Sequence, residues 1–99
     1  MKKETKIILA GKEYKMYLDL RSAIEFKKLQ GITIFQGIDD IVEQQDIEVI
    51  VNLLCATVRD SKGKSIAKDK ILSLDLMESL PTIMNAFTEL FSKEEGIEE

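Results

Sequence analysis

Residues 7–20 read IILAGKEYKMYLDL, with apolar-rich stretches at 7–9 and 14–18 on either side of Ala10-Gly11-Lys12-Glu13. The alternation predicts two short antiparallel strands joined by a tight turn and followed directly by a helix. With Gly11-Lys12 as a two-residue type II′ loop, Ala10 faces Glu13, Leu9 faces Tyr14, Ile7 faces Met16 and Thr5 faces Leu18. This places an apolar set on one face, while Ile8 with Lys15 and Lys6 with Tyr17 fall on the other. A lone hairpin is marginal in water and needs cover for its apolar face. No third strand is visible downstream, so both strand edges are expected to offer unpaired backbone groups to another chain.

Helical patterns follow. Asp19 or Ser22 can cap a first helix, Leu20, Ala23, Ile24 and Phe26 supply its buried side, and Gly31 stops it. Ile34 to Glu43 reads as a second, with Ile34, Ile38, Ile41 and Val42 in helical period, although Gly37 weakens the pattern. Asp46 caps the strongest helix, Ile47 to about Arg59, which is apolar over most of its circumference. Such a helix belongs in the middle of a core or at a subunit interface. A polar break at Asp60–Ser65 leads to one or two short helices over Ile66–Leu80. Pro81 reads as a boundary, and the closing helix carries Leu80, Ile83, Met84, Phe87, Leu90 and Phe91 on one face to about Lys93.

The expected fold is therefore α+β and mainly α: one 99-residue domain with a hairpin at 5–18, four to five helices over 20–93, and an acidic tail at 94–99 expected to fray. No apolar run approaches the roughly 18 to 20 residues of a membrane span, and the start lacks a signal-peptide core, which predicts a cytosolic protein. Cys55, the only cysteine, lies in an apolar run and reads as an inert buried thiol.

The chain contains no histidine, which removes the residue most used in acid–base catalysis and excludes serine–histidine, cysteine–histidine and histidine-bearing zinc sites. Two acidic clusters, Asp39-Asp40-Glu43 and Asp75 with Glu78, lack the loop pattern of calcium sites and read as solvated helix faces. Gly63-Lys64-Ser65 imitates the end of a phosphate-binding loop, but Val58 stands where that motif needs glycine. No catalytic, metal or cofactor residue is assigned. The formal net charge of −4 and the acidic second helix argue against a helix-turn-helix reading of residues 20–43.

Lysines at 2, 3, 6, 12 and 15 and glutamates at 89, 94, 95, 98 and 99 polarise the two ends, as a solvated surface or as a head-to-tail contact between subunits. The aromatic and methionine content, with Met16, Met77 and Met84 as adaptable packing, exceeds what short helices easily cover. Ile8, Lys15 and Tyr17 on the outer hairpin face, and Phe87, Leu90 and Phe91 on the last helix, are the candidate partner or self-assembly residues.

The order of elements resembles the small tail assembly chaperones of long-tailed bacteriophages of Gram-positive hosts. The resemblance rests on I-x-L-x-G-K-x-Y-x-x-x-L at Ile7–Leu18, on Leu29-Gln30-Gly31, on Ile34-Phe35-Gln36-Gly37-Ile38, and on the apolar helix from Ile47 to Val58. It implies a non-catalytic, cofactor-free protein, homo-oligomeric, of the bacterial host cytoplasm. Such a protein binds the tape measure protein, keeps its apolar helices soluble, helps recruit tail tube subunits, and leaves before the virion is complete. The rival readings are a small cytosolic regulator of helix-turn-helix type that binds DNA or represses a partner, and an enzyme using carboxylates alone.

Overall fold

The computed structural model describes residues 3–74 and 76–92. The expected acidic tail at 94–99, the helix end at Lys93 and Asp75 of the second acidic cluster lie outside the described residues. An antiparallel hairpin of β1 (Lys3–Leu9) and β2 (Lys12–Leu18) opens the chain, followed by α1 (Leu20–Gln30), α2 (Ile34–Gln44) and α3 (Ile47–Thr57). A two-residue β3 (Val58–Arg59), α4 (Lys68–Leu72) and α5 (Leu76–Ser92) complete it. The architecture is α+β and mainly α, as the patterning predicts.

The turn differs from the type II′ expectation. Its two central residues are Ala10 and Gly11, with φ of 53° and 80°, so it is of the I′ kind, whose twist matches that of the flanking strands. Leu9 therefore faces Lys12, Ile7 faces Tyr14 and Thr5 faces Met16. The slip is two positions in the sum of paired residues, an even number, so every side chain keeps its face. Ile7, Leu9, Tyr14, Met16 and Leu18 are all buried, and Ile8 is exposed.

A third strand is present, contrary to the expectation of none. The central helix stops at Thr57, whose hydroxyl donates to the Leu53 carbonyl at 2.7 Å, and Val58 and Arg59 pair with Met16 and Lys15 of β2. The sheet order is β1-β2-β3, so β2 is central and β1 is an edge. The extended backbone wins over another helical turn because it buries Val58 and delivers Arg59 to Asp19, with two guanidinium nitrogens each 3.1 Å from a carboxylate oxygen.

That ion pair fixes more than β3. Asp19 is the N-cap of α1: its carboxylate accepts from the Ser22 N–H at 2.9 Å, and the Ser22 hydroxyl accepts from the Asp19 N–H at 2.9 Å. With Asp19 anchored and Ser22 facing inward, α1 is rotated so that Ser22 and Phe26 are its buried pair. Leu20 and Ile24, expected on the buried side, point outward instead, 76% and 57% exposed.

α3 lies in the middle of the core, every residue from Val49 to Thr57 being buried, with α1, α2, α4 and β2 against it. α5 covers β1 through Ile83, Ala86, Phe87 and Leu90. It runs through Pro81 rather than starting there. Proline removes the bond to the Met77 carbonyl, but both residues are exposed, so water can satisfy that oxygen. α2 sits directly on α1 at Gly37, where a β-carbon would meet the ring of the fully buried Phe26. The glycine that looked unhelpful to a helix is what permits this seat.

Candidate interaction surface

The chemistry-bearing motifs are accounted for locally. In the Asp60–Ser65 turn, the Asp60 carboxylate accepts from the N–H groups of Lys62 and Lys64 at 2.8 and 3.0 Å, which holds its pKa below the ordinary carboxylate value. Those two amides, which a phosphate would need, are already bonded. The Gly63 carbonyl and the Ser65 hydroxyl accept from Arg21 at 3.3 Å each. On α2, the Gln36 amide donates to Asp40 at 3.0 Å. No group of three or more histidine, cysteine or acidic side chains is placed to hold a metal among the described residues. Cys55 is buried, and burial raises its thiol pKa.

Arg59 and Asp19 form the charged pair of the interior, with side chains 7% and 18% exposed. The Arg59 guanidinium lies 4.6 Å from the centre of the Tyr17 ring, and it lowers the Asp19 pKa from 3.8 to about 2, chiefly by hydrogen bonding. Its Nε is buried without a hydrogen-bond partner. The pair joins β2, β3 and the start of α1, a structural duty that the sequence reading missed because it placed Arg59 on a helix. The only available sign was an arginine closing an otherwise apolar run.

What gathers on the surface is apolar area. Leu20, Ala23, Ile24, Ile34 and Phe35 line a shallow groove of 430 Å³ between α1 and α2, with Lys27 and Lys28 on its rim. Phe35 meets Phe91 of α5 edge to face, ring centres 6.3 Å apart at 89°. From Phe91 a second groove of 250 Å³ continues along Ile38, Val42 and Met84, and Met84 also borders a third of 220 Å³ with Ile47, Ile50, Leu80 and Pro81. The three make one belt across α1, α2 and α5 that reaches the start of α3. Of the large apolar side chains that stand exposed, Leu20, Ile24, Phe35, Val42 and Ile47 all lie on it. Contiguous apolar surface of this kind marks interaction sites.

The cations of the belt, Lys27 and Lys28, stand on α1. Helix α2, which a helix-turn-helix would insert in a groove, reads IFQGIDDIVEQ and carries no lysine or arginine.

The six candidate residues do not form one patch. Ile8 is 57% exposed beside α5, and Lys15 and Tyr17 line a cleft with Arg59 and the 60–63 turn. Phe87 and Leu90 are buried at 1% exposure each, and half-buried Phe91 joins the belt. The sequence reading missed Leu20 and Ile24 as surface. Their signal was that two i, i+4 pairs of α1 compete for the core, apolar Leu20/Ile24 and Ser22/Phe26, the second of which carries the capping serine.

No family model, curated protein or solved structure matches this chain. No helix among the described residues is long and apolar enough to cross a membrane.

Proposed function

We propose that this chain is a non-catalytic tail assembly chaperone of a long-tailed phage or prophage, acting in the bacterial cytoplasm. Its client is the tape measure protein, whose apolar helices it holds on the α1–α2–α5 belt while tail tube subunits are recruited. The reading rests on the resemblance in the hairpin and in the stretch from Leu29 to Ile38. The observation that carries it is the belt itself, along whose three grooves Leu20, Ile24, Phe35, Val42 and Ile47 stand exposed. A groove of this form receives the apolar ridge of an amphipathic helix through anchors at i, i+3, i+4 and i+7.

The test is co-purification of the chain with a helical tape measure segment encoded beside it. A stable complex is expected, lost in the double variant Ile24→Asp/Phe35→Asp, whose fold circular dichroism should show intact because both sites are surface. No complex with the native chain, or equal capture by the double variant, refutes the reading. Retention on heparin with steep salt dependence would transfer it to nucleic acid.

A further inference from the structure

We propose that two copies of this chain join β1 to β1, antiparallel about a two-fold axis at Thr5, giving one six-stranded sheet in the order β3-β2-β1-β1-β2-β3. Among the described residues β1 pairs with β2 alone. A two-residue turn is closed by a hydrogen-bonded pair, here Leu9 with Lys12. The alternation of antiparallel pairing then turns the N–H and C=O groups of Glu4, Lys6 and Ile8 toward the open edge. Their side chains lie exposed on the outer face.

Symmetry and charge select the register. A two-fold antiparallel pair must match outward-facing residues with outward-facing residues, so its axis falls on a residue of β1; an axis at Ile7 or Ile8 sets Lys6 against Ile8 or Ala10 and pairs no opposite charges, which leaves Glu4, Thr5 and Lys6 as the axes that bring charged residues together. An axis at Glu4 sets Glu4 on Glu4, and an axis at Lys6 sets Lys6 on Lys6, each a like-charge pair that destabilises a sheet. The axis at Thr5 sets Glu4 against the other copy's Lys6 and Lys6 against its Glu4, two complementary pairs from one self-matched edge. The existing partners do not forbid this. Lys6–Glu13 at 3.5 Å and Lys15–Glu4 at 3.9 Å are more than half exposed and so worth little. Beside the edge, Ile8 and the α5 residues Ser79 and Thr82 border an open trough of 650 Å³, leaving room for an added strand. The pairing uses the sheet edge and leaves the helical belt free, so it stands independently of the client reading.

The test is sedimentation of the native chain over a wide concentration range, with Glu4→Lys, Lys6→Glu and the combined swap. The native chain should dimerise. Each single variant should weaken the dimer about tenfold or more, because both pairs become like-charged, and the combined swap should restore it. Thr5→Cys should cross-link between chains on oxidation, since the axis sets the two residues about 4.5 Å apart at Cα; Glu13→Cys on β2 should not. Thermal melts establish that each variant is folded. A chain that stays monomeric throughout overturns the proposal and leaves the edge to a strand of another protein. A dimer indifferent to the single reversals, or a Glu13→Cys cross-link as efficient as that of Thr5→Cys, overturns the register and with it the proposal.

Discussion

Replacing Gly37 by alanine should destabilise the protein, although the same change in an ordinary helix interior would stabilise it by about 1 kcal/mol. Gly37 is buried in α2, and a β-carbon there would fall 2.6 Å from Cε2 of Phe26 and closer still to Cζ. Carbon atoms rest at about 3.5–4.0 Å, so the overlap is roughly 1 Å on a ring that has nowhere to go, Phe26 being fully buried. Overpacking of a filled core costs about 1–3 kcal/mol, which outweighs the propensity gain. A net loss of about 1 kcal/mol corresponds to a fall in Tm of roughly 4–8 °C for a domain of this size. Urea unfolding of four proteins measures it: native, Gly37→Ala, Phe26→Leu and the double variant. In the Phe26→Leu background the clashing ring atoms are gone, so Gly37→Ala should turn neutral or stabilising there. A stabilised Gly37→Ala protein with Phe26 intact would refute the seating of α2 on that ring.

Other consequences concern the polar interior. Asp19 has a folded pKa of about 2 against an ordinary 3.8, so its contribution is fully present above 3.8 and lost as pH falls through about 2. The gap is worth about 2 kcal/mol; Asp19→Asn should remove that much at neutral pH and flatten the stability profile between pH 4 and 2, both read from denaturant midpoints. Asn52 is buried; its amide donates to Gln30 at 2.7 Å while its own Oδ1 has no partner. Asn52→Leu should therefore be neutral or raise stability by up to about 1 kcal/mol, since it removes the orphaned acceptor, whereas a loss of 2 kcal/mol would mean that the amide is satisfied.

Period and turn chemistry made most of the elements readable. The hairpin, the Asp46 cap of α3 and the αL stop at Gly31, with φ of 84°, follow from local residue types. What local pattern could not supply were long-range bargains. Val58 and Arg59 continue a helical period, yet their strand form depends on Asp19, 40 residues earlier. The rotation of α1 depends on the same ion pair, and it decides whether Leu20 and Ile24 are core or surface. The belt was legible only as a surplus of apolar residues; its location had to wait for that rotation. Pro81 misled for a similar reason, because a proline inside a helix is tolerated where its freed carbonyl finds another donor, here solvent beside the exposed Met77.

The central claim is that the α1–α2–α5 belt, and not the sheet, receives an apolar helix. Amide and methyl chemical shifts of the labelled chain, followed as a helical tape measure segment is added, test it most directly. The account predicts perturbation centred on Leu20, Ile24, Phe35, Val42, Met84 and Phe91, with Lys27 and Lys28 at the rim. Perturbation centred on Lys15, Tyr17 and the 60–63 turn, or none at saturating segment, would contradict it.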